Sequence, residues 1–574
     1  MSHTISRRQH NTGAFDKLQS LPAILQRIYA ARNVQSLDDI DRSLSALLPY
    51  HDLLDIDKAI VRLTQALMNQ ENILIIGDFD ADGATSTALA VSALRSFGAK
   101  NVDFLVPNRF TFGYGLTPEI VDVAKNKNPH LIITVDNGVA SIDGVARANS
   151  YHIDVVVTDH HLQGSVLPEA CAIVNPNRNN DFFKSKALAG VGVIFYVMLA
   201  LRAALLSKNY FNEHQLPKPN MAELLDLVAL GTVADVVPLD KNNRILVYQG
   251  LQRIRAGVAR PGIRALLHIA GRNPEKLAAI DLGFSIGPRL NAAGRLDDMS
   301  LGIQCLLETD FDSALSYAKR LDQLNVERRV IENEMKQQAF AVVDQMDLQK
   351  QLPMGVCLFD DSWHQGVIGL VASRVKDKLN RPVIAFAKAD DAIIKGSARS
   401  INGVHIRDVL DSIATQYPHL LSKFGGHAMA AGLSIKRSDF DTFSTIFSET
   451  ISKQLTKDQL QRAIETDGEL SMQDFTLENA ELLRESGPWG QHFPEPIFDG
   501  EFLIVSQRLV GEKHLKMVLQ PKQGGHPIDA IAFQVDLNKW PNHRMQSAKF
   551  AYRLDANYYQ GRSSLQLMVE AIVE

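Results

Sequence analysis

Seven side chains between Asp78 and Asp235 have the types and spacing of a divalent-metal site. They are Asp78, Asp80 and Asp82 in DFDADG, Asp136 in TVDNG, His160 and His161 in TDHH, and Asp235 in GTVAD. Three carboxylates at alternate positions of one short loop repel one another unless cations neutralise them. A helix–loop–helix calcium site is disfavoured, because no glutamate stands at the required downstream position. Singly, each residue has a plain structural reading: a solvated acidic turn for the triplet, a helix cap for Asp136 or Asp235, core or surface imidazoles for the histidine pair. Jointly they are four loops on one edge of one sheet, all carrying oxygen or nitrogen ligands. Carboxylate and imidazole without cysteine favour Mn²⁺ or Mg²⁺ over structural zinc. Two such ions suit in-line displacement at phosphorus: they activate water, polarise the phosphoryl oxygen and stabilise the leaving alkoxide.

The elements that position these loops are legible from periodicity. ENILIIGDFDADG reads as a buried strand, Ile73 to Ile76, an acidic loop, then a helix from Ala84 to Phe97. Strand-like and helical runs keep alternating through NVDFLV, PEIVDVAKN, LIITVDNG, SIDGVARA and IDVVVTDHH, which means βαβ units and a parallel sheet. Ligands sit beyond the carboxyl ends of such strands, and DFDADG, TVDNG and TDHH each follow one directly. AELLDLVALGTVADVVPL supplies a helix ending at Gly231 and an acidic loop at Asp235.

From Gly302 to Pro353 no glycine or proline intervenes, and Leu315, Ala318, Leu321 and Leu324 recur at helical spacing. One helix of about 35–40 residues would reach roughly 50–60 Å and serve as a spacer; two helices joined by a turn near Asn325 is the alternative. Strands and helices alternate again after Pro353, with GGHAMAAG at Gly425. From about Ile464 five strand-like runs suggest a small oligonucleotide-binding barrel. The expected organisation is a helical N-terminal segment (1–50), a parallel-sheet domain (51–310), a connecting helix (311–352), a second α/β domain (353–460) and the barrel (461–574).

With 574 residues, 45% apolar and 22% charged, the chain has an ordinary globular composition spread over three or four domains. Neither a secretory signal nor an apolar run long enough to span a bilayer is expected. Cys171, Cys305 and Cys357 lie far apart with no zinc spacing, as suits buried thiols in a reducing cytoplasm. A net charge of −5 argues against a uniformly basic nucleic-acid binder, so any phosphate-tracking surface must be local.

The order DxDADG, VDNG, DHH, GTVAD resembles the DHH phosphoesterase superfamily. WHQGVIGLVASR and GGHAMAAG resemble its accessory DHHA1 domain. PNRFTFGYGL, LAGVGVIF and FSIGPRLNAAGRLDDM are similar to signatures of its bacterial single-strand-specific 5′→3′ exonucleases. The resemblance runs from about residue 50 to the end. It implies release of 5′-mononucleotides, work in DNA recombination and repair, and Asp80, Asp82, Asp136, His160, His161 and Asp235 as ligands with Asp78 at the site. A single-strand-binding protein and a helicase as partners, with the enzyme a monomer, follow only by the same route.

A strand end entering a nuclease needs its phosphates neutralised, best by arginine. Arg109, Arg289, and Ser397 with Arg399 fit that need, and the resemblance puts Arg109, Ser397 and Arg399 around the 5′ end; a structural salt bridge is the plain alternative for any one arginine. His427 would approach the scissile phosphate, with Gly425 and Gly426 letting the backbone come close. In the barrel, Lys513, His514, Lys516, Lys522, Lys539, Lys549 and Arg553 are interleaved with Trp540, Phe550 and Tyr552. Such a mixture suits stacking on single-strand bases, and equally suits a core. One departure stands out: where relatives carry glycine and asparagine in the turn before the barrel, GPWGQHFPEP has His492 and Phe493.

Two other functions are compatible with such a fold. Pyrophosphatases, short-oligonucleotide phosphatases and cyclic-dinucleotide phosphodiesterases of the superfamily place a histidine four residues before the Asp80 position, where this chain has Ile76. A non-catalytic scaffold would have lost several ligands, and all seven are present.

Overall fold

The computed structural model describes residues 4–10, 12–108, 112–348, 352–421, 423–456, 460, 463–537, 539–559 and 562–573. Arg109 lies outside them. The N-terminal segment, expected to be helical, opens instead with strand β1 (Thr4–Arg7), followed by 3₁₀ turns and one helix, Ala23–Ala30. A lone polar strand has no local signature; β1 exists because it pairs in parallel with β12 (Ala463–Thr466), far along the chain.

Strands β2 (Ile73–Gly77), β3 (Val102–Leu105), β4 (Leu131–Val135), β5 (Asp154–Thr158) and β6 (Ala172–Val174) form a parallel sheet in the order β3-β2-β4-β5-β6. Their unbroken β-branched runs are buried on both faces. Leu74, Ile76, Ile132 and Val155 point into one layer of helices; Ile73, Ile75, Leu131 and Ile133 point into the other. The chain leaves β2 for β3 on one side, and β4 then pairs on the opposite side. This reversal opens a crevice at the carboxyl ends of β2 and β4.

Two helices on one face correct the expectations. Gly190–Ser207 is 18 residues long with mean hydropathy 1.9, apolar enough to cross a membrane by composition. It is mostly buried as a core helix against Ala81–Ser96 and Leu225–Ala234. The second helix does not stop at Gly231 but continues to Ala234. Gly231 marks a close approach, since a Cβ there would overlap Thr85 Oγ1 and lie 2.8 Å from Asp82 Oδ1.

The long helix is a single element, Phe311–Leu348, 38 residues or roughly 57 Å at 1.5 Å per residue. Asn325 is fully buried within it. Ala314, Ala318, Leu321 and Leu324 join the core of the first domain; Met335, Ala339 and Val343 join that of the second. The helix therefore docks at both ends, which fixes the two domains face to face. The second domain holds β7 (Val356–Asp360), β8 (Val383–Lys388), β9 (Ile393–Arg399), β10 (Lys423–Gly426) and β11 (Ala430–Lys436) in the order β10-β11-β9-β8-β7, antiparallel except for β7 with β8.

Strands β13 (Phe498–Val510), β14 (His514–Pro521), β15 (Ile528–Ala532), β16 (Ser547–Tyr559) and β17 (Arg562–Val573) close into a barrel. It is tied back to the N-terminal segment. Arg7 pairs with the buried Asp499 at 2.7 Å; Arg8 and Arg32 pair with the buried Asp467 at 3.3 and 2.8 Å. In the turn before the barrel His492 adopts φ +59°, the left-handed region that favours glycine. Phe493 is buried, stacked on Trp489 at 5.2 Å with the Arg244 guanidinium 4.2 Å from its ring.

Candidate metal centre and the cleft beside it

Three of the four acidic or imidazole loops follow strands: Asp78 follows β2, Asp136 follows β4, and Asp159-His160-His161 follows β5. The fourth does not, which corrects the expectation of four loops on the sheet edge. Asp235 caps the end of helix Leu225–Ala234, and that helix carries it over the sheet edge.

The seven predicted residues converge. Ligand atoms of Asp136, His160 and His161 lie within 4.8 Å of one another, as do those of Asp82, His160 and Asp235, and those of Asp78, Asp80 and Asp136. Asp136 and His160 each belong to two groups. The backbone is shaped for this. Asp136 holds φ +61° and places its carboxylate toward the crevice. Asp80 caps helix Ala81–Ser96, its Oδ1 accepting from Asp82 N and Gly83 N at 2.9 and 3.0 Å. Asp82 accepts from Gly190 N and Val191 N at 2.6 and 3.0 Å, so LAGVGVIF supplies a helix N-terminus to one of the acids.

Electrostatics shows how strongly these acids repel one another. Burial, and then Asp235, push Asp82 up to about 7; burial, and then Asp80, do the same for Asp235. Asp136 is raised well above the usual range by burial and then by Asp82 and Asp80. Its Oδ1 is buried and takes no hydrogen bond, although His160 Nε2 lies 3.1 Å away. Two such atoms at contact distance without a hydrogen bond could both serve one cation. The residues fit a divalent metal.

Two residues essential to this geometry carried no prediction. Asp159 is buried; Oδ1 accepts from His161 Nδ1 at 2.7 Å and from the backbone N–H of His160 and His161, and Oδ2 accepts from Val139 N at 2.9 Å. Burial alone would raise it, but His161 holds it down to about 2. In return, Asp159 outweighs burial and lifts His161 to about 9. A carboxylate fixing the far nitrogen of a ligating histidine is what a metal site needs. Tyr114 Oη lies 3.2 Å from the Asp136 carbonyl and from the His161 ring nitrogens. Its flanking glycines in GYG, with φ +79° and +76°, were the available signal.

The second domain faces this cluster. The His427 ring lies 5.3 Å from that of His161, and burial, then His161 and His160, lower it to about 4. Gly426 has φ +145°, and a Cβ there would sit 2.5 Å from Ala431 Cα, whereas Gly425 has open space. Between the domains lies a cleft of about 490 Å³ lined by Asp80, Tyr114, Ser397 and Arg399, with the further cations Arg295, Lys395 and Lys423. Arg399 Nη1 donates to Ser397 Oγ at 3.0 Å, and a Cβ on Gly369 would meet its guanidinium at 2.7 Å. Arg289 is not in the cleft lining; it is bound to Asp322 of the long helix at 2.8 Å and to the Ser285 carbonyl. The barrel aromatics Trp540, Phe550 and Tyr552 are buried core. Among the interleaved cations, Lys516, Lys522, Lys549 and Arg553 are ion-paired.

Residues 72–232 match the DHH family N-terminal domain, residues 350–453 the DHHA1 domain, and residues 466–571 the RecJ OB domain. The chain is 53% identical over 564 residues to the single-stranded-DNA-specific exonuclease RecJ of Dickeya dadantii, covering 98% of each chain. To its counterpart in Escherichia coli it is 51% identical, covering 99% of this chain and 98% of the relative. Among solved structures, RecJ in complex with Mn²⁺ from Thermus thermophilus superposes with a TM-score of 0.79 at 28% identity, covering 100% of this chain and 78% of that one. The chain belongs to the RecJ family of single-stranded-DNA-specific exonucleases.

Proposed function

We infer that this chain is a metal-dependent exonuclease that enters single-stranded DNA at its 5′ end and releases 5′-mononucleotides, serving DNA recombination and repair. The observation that carries the reading is the convergence of three ligand groups on one sheet edge, each with its atoms within 4.8 Å. Asp78, Asp80, Asp82, Asp136, His160, His161 and Asp235 would hold Mn²⁺ or Mg²⁺, two ions being suited by the shared Asp136 and His160. Bound divalent ions supply activation of water and charge neutralisation at the phosphate.

The chain's own residues do the rest. Asp159 fixes the tautomer and orientation of His161, and Tyr114 braces that ring against the strained Asp136 backbone. Ser397 and Arg399 receive the terminal phosphate in a cleft whose lining cations outnumber its acids. His427, from the same domain as Ser397 and Arg399, presents its ring to the scissile phosphate from the side facing His161. The walls are two docked domains, so a duplex is excluded sterically. Because a duplex is excluded, the strand must first be unwound, which a helicase and a single-strand-binding protein would provide. Both walls of the site come from one chain, consistent with a monomer. Cys305 and Cys357 are buried as expected, whereas Cys171 is exposed; all three are unpaired, which suits a reducing cytoplasm.

The test is release of labelled mononucleotide from a 5′-labelled single strand, a 3′-labelled strand and a blunt duplex, with and without Mn²⁺. Release should need the metal, come first from the 5′ label and fail on the duplex. Asp136→Asn, which tolerates the left-handed backbone, should lower turnover by about a hundred-fold or more. Metal-independent release, or equal attack on the duplex, would refute the reading.

A further inference from the structure

Adjoining Asp235, and sharing no lining residue with the cationic cleft, the chain builds a second surface of different chemistry. Val236, next to Asp235, holds φ +62°, a costly conformation for a β-branched residue, and is 64% exposed. Beside it, Leu282–Ile286 form a single π-helical turn that leaves Phe284 75% exposed. Cavities of about 450 and 460 Å³ lie along the junction between the first domain and the barrel, and Phe284 lines both, together with Ile280 and Trp489. A large aromatic ring standing in water, lining one mostly apolar cavity and a second whose cations Arg272, Arg484 and Arg553 are matched by Asp281, Glu495 and Asp555, is not explained by packing.

The charges differ from those of the cleft. In the first cavity Arg255 and Arg484 are balanced by Glu485 and Glu495. In the cleft, Arg295, Lys395, Arg399 and Lys423 face only Asp80. The cleft suits phosphates; a neutral, aromatic-lined cavity suits the faces of uncharged planar rings. We propose that the cavities on either side of Phe284 receive unpaired bases of the strand on the 3′ side of the scissile phosphate, the ring standing between successive bases. This rests on the nuclease reading and deepens it. With the 5′ end held in the cleft, the strand continues past the Asp235–Val236 corner, and bases locked in a duplex could not splay around the ring. Phe284 is thus a positioning residue for single-strand selection, and FSIGPRLN gains a role apart from Arg289.

The experiment uses the full-length protein with Mn²⁺ and a 5′-phosphorylated strand of about twenty nucleotides. A single abasic site is moved stepwise through its first eight positions. KM should rise at one or two adjacent positions for the unsubstituted protein. Phe284→Ala should raise KM on the intact strand by roughly 5- to 100-fold, leave kcat within about twofold and abolish the position dependence, and Phe284→Trp should restore it. Phe284 is exposed, so neither change threatens the fold. An unchanged KM in Phe284→Ala, or an abasic penalty that persists in it, overturns the proposal while hydrolysis still supports the nuclease reading. If the unsubstituted protein hydrolyses nothing, that reading falls, and fluorescence anisotropy on the same strands still decides the stacking.

Discussion

Replacing Asp159 with Asn tests how the metal cluster is held without touching a proposed ligand. The carboxylate accepts four hydrogen bonds: from His161 Nδ1 at 2.7 Å, His160 N at 2.7 Å, His161 N at 3.1 Å and Val139 N at 2.9 Å. An amide keeps one acceptor oxygen. If that oxygen faces His161, the NH₂ group meets the Val139 N–H; if it turns, it meets three donors. Either way a buried donor is left unsatisfied, at about 1–3 kcal/mol of stability. His161 also loses the charge that orients it, and losing such a partner lowers metal affinity about 10–100-fold, or roughly 1.4–2.7 kcal/mol. Calorimetric titration of metal-stripped Asp159→Asn with Mn²⁺ should show that weakening, and turnover at saturating Mn²⁺ should recover to within about tenfold. Unchanged Mn²⁺ affinity with turnover lost at every metal concentration would refute the argument, because Asp159 would then act on the reaction and not through His161.

Other outcomes follow from the same structure. In metal-free protein Asp82 and Asp235 stand at about 7, above their unfolded values near 4, so the folded state binds more protons between these limits. Its melting temperature should therefore fall as pH rises from about 4 through 7, and Mn²⁺ should raise it most at the alkaline end, as thermal melts would show. Arg399→Ala should raise KM for 5′-phosphorylated strands by roughly 10- to 100-fold, as the loss of a charged hydrogen bond implies, with little change for 5′-hydroxyl ends in paired kinetic assays. Gly231→Ala forces a methyl between Thr85 and Asp82 and should cost about 1–3 kcal/mol by denaturant titration, with weaker Mn²⁺ binding.

The proposed ligands were legible because repulsion makes clustered carboxylates conspicuous and a parallel sheet fixes where loops converge. What supports them was not. Asp159 sits inside the histidine motif yet draws no role until a partner for His161 is sought. Lys395 and Lys423 come together in the cleft only because β11 pairs with both β9 and β10, in a register no local pattern reveals. Gly231 looked like a helix end because its packing against Asp82 is tertiary. The barrel aromatics had a usable signal: Phe550 and Tyr552 alternate with Lys549 and Arg553, the period of a strand with one face inward. Strand β1 had none, since its partner lies over 450 residues away.

That distant pairing has a consequence for how the molecule is made. Asp467 and Asp499 emerge late from the ribosome, yet the guanidinium groups that neutralise them, on Arg7, Arg8 and Arg32, are synthesised first. The barrel's buried negative charge is thus matched by a segment that must be kept until translation is nearly over. Loss of a handful of leading residues by proteolysis would be felt far along the chain, where Asp499 would keep only Lys549, and Asp467 only Arg32, as a cationic partner.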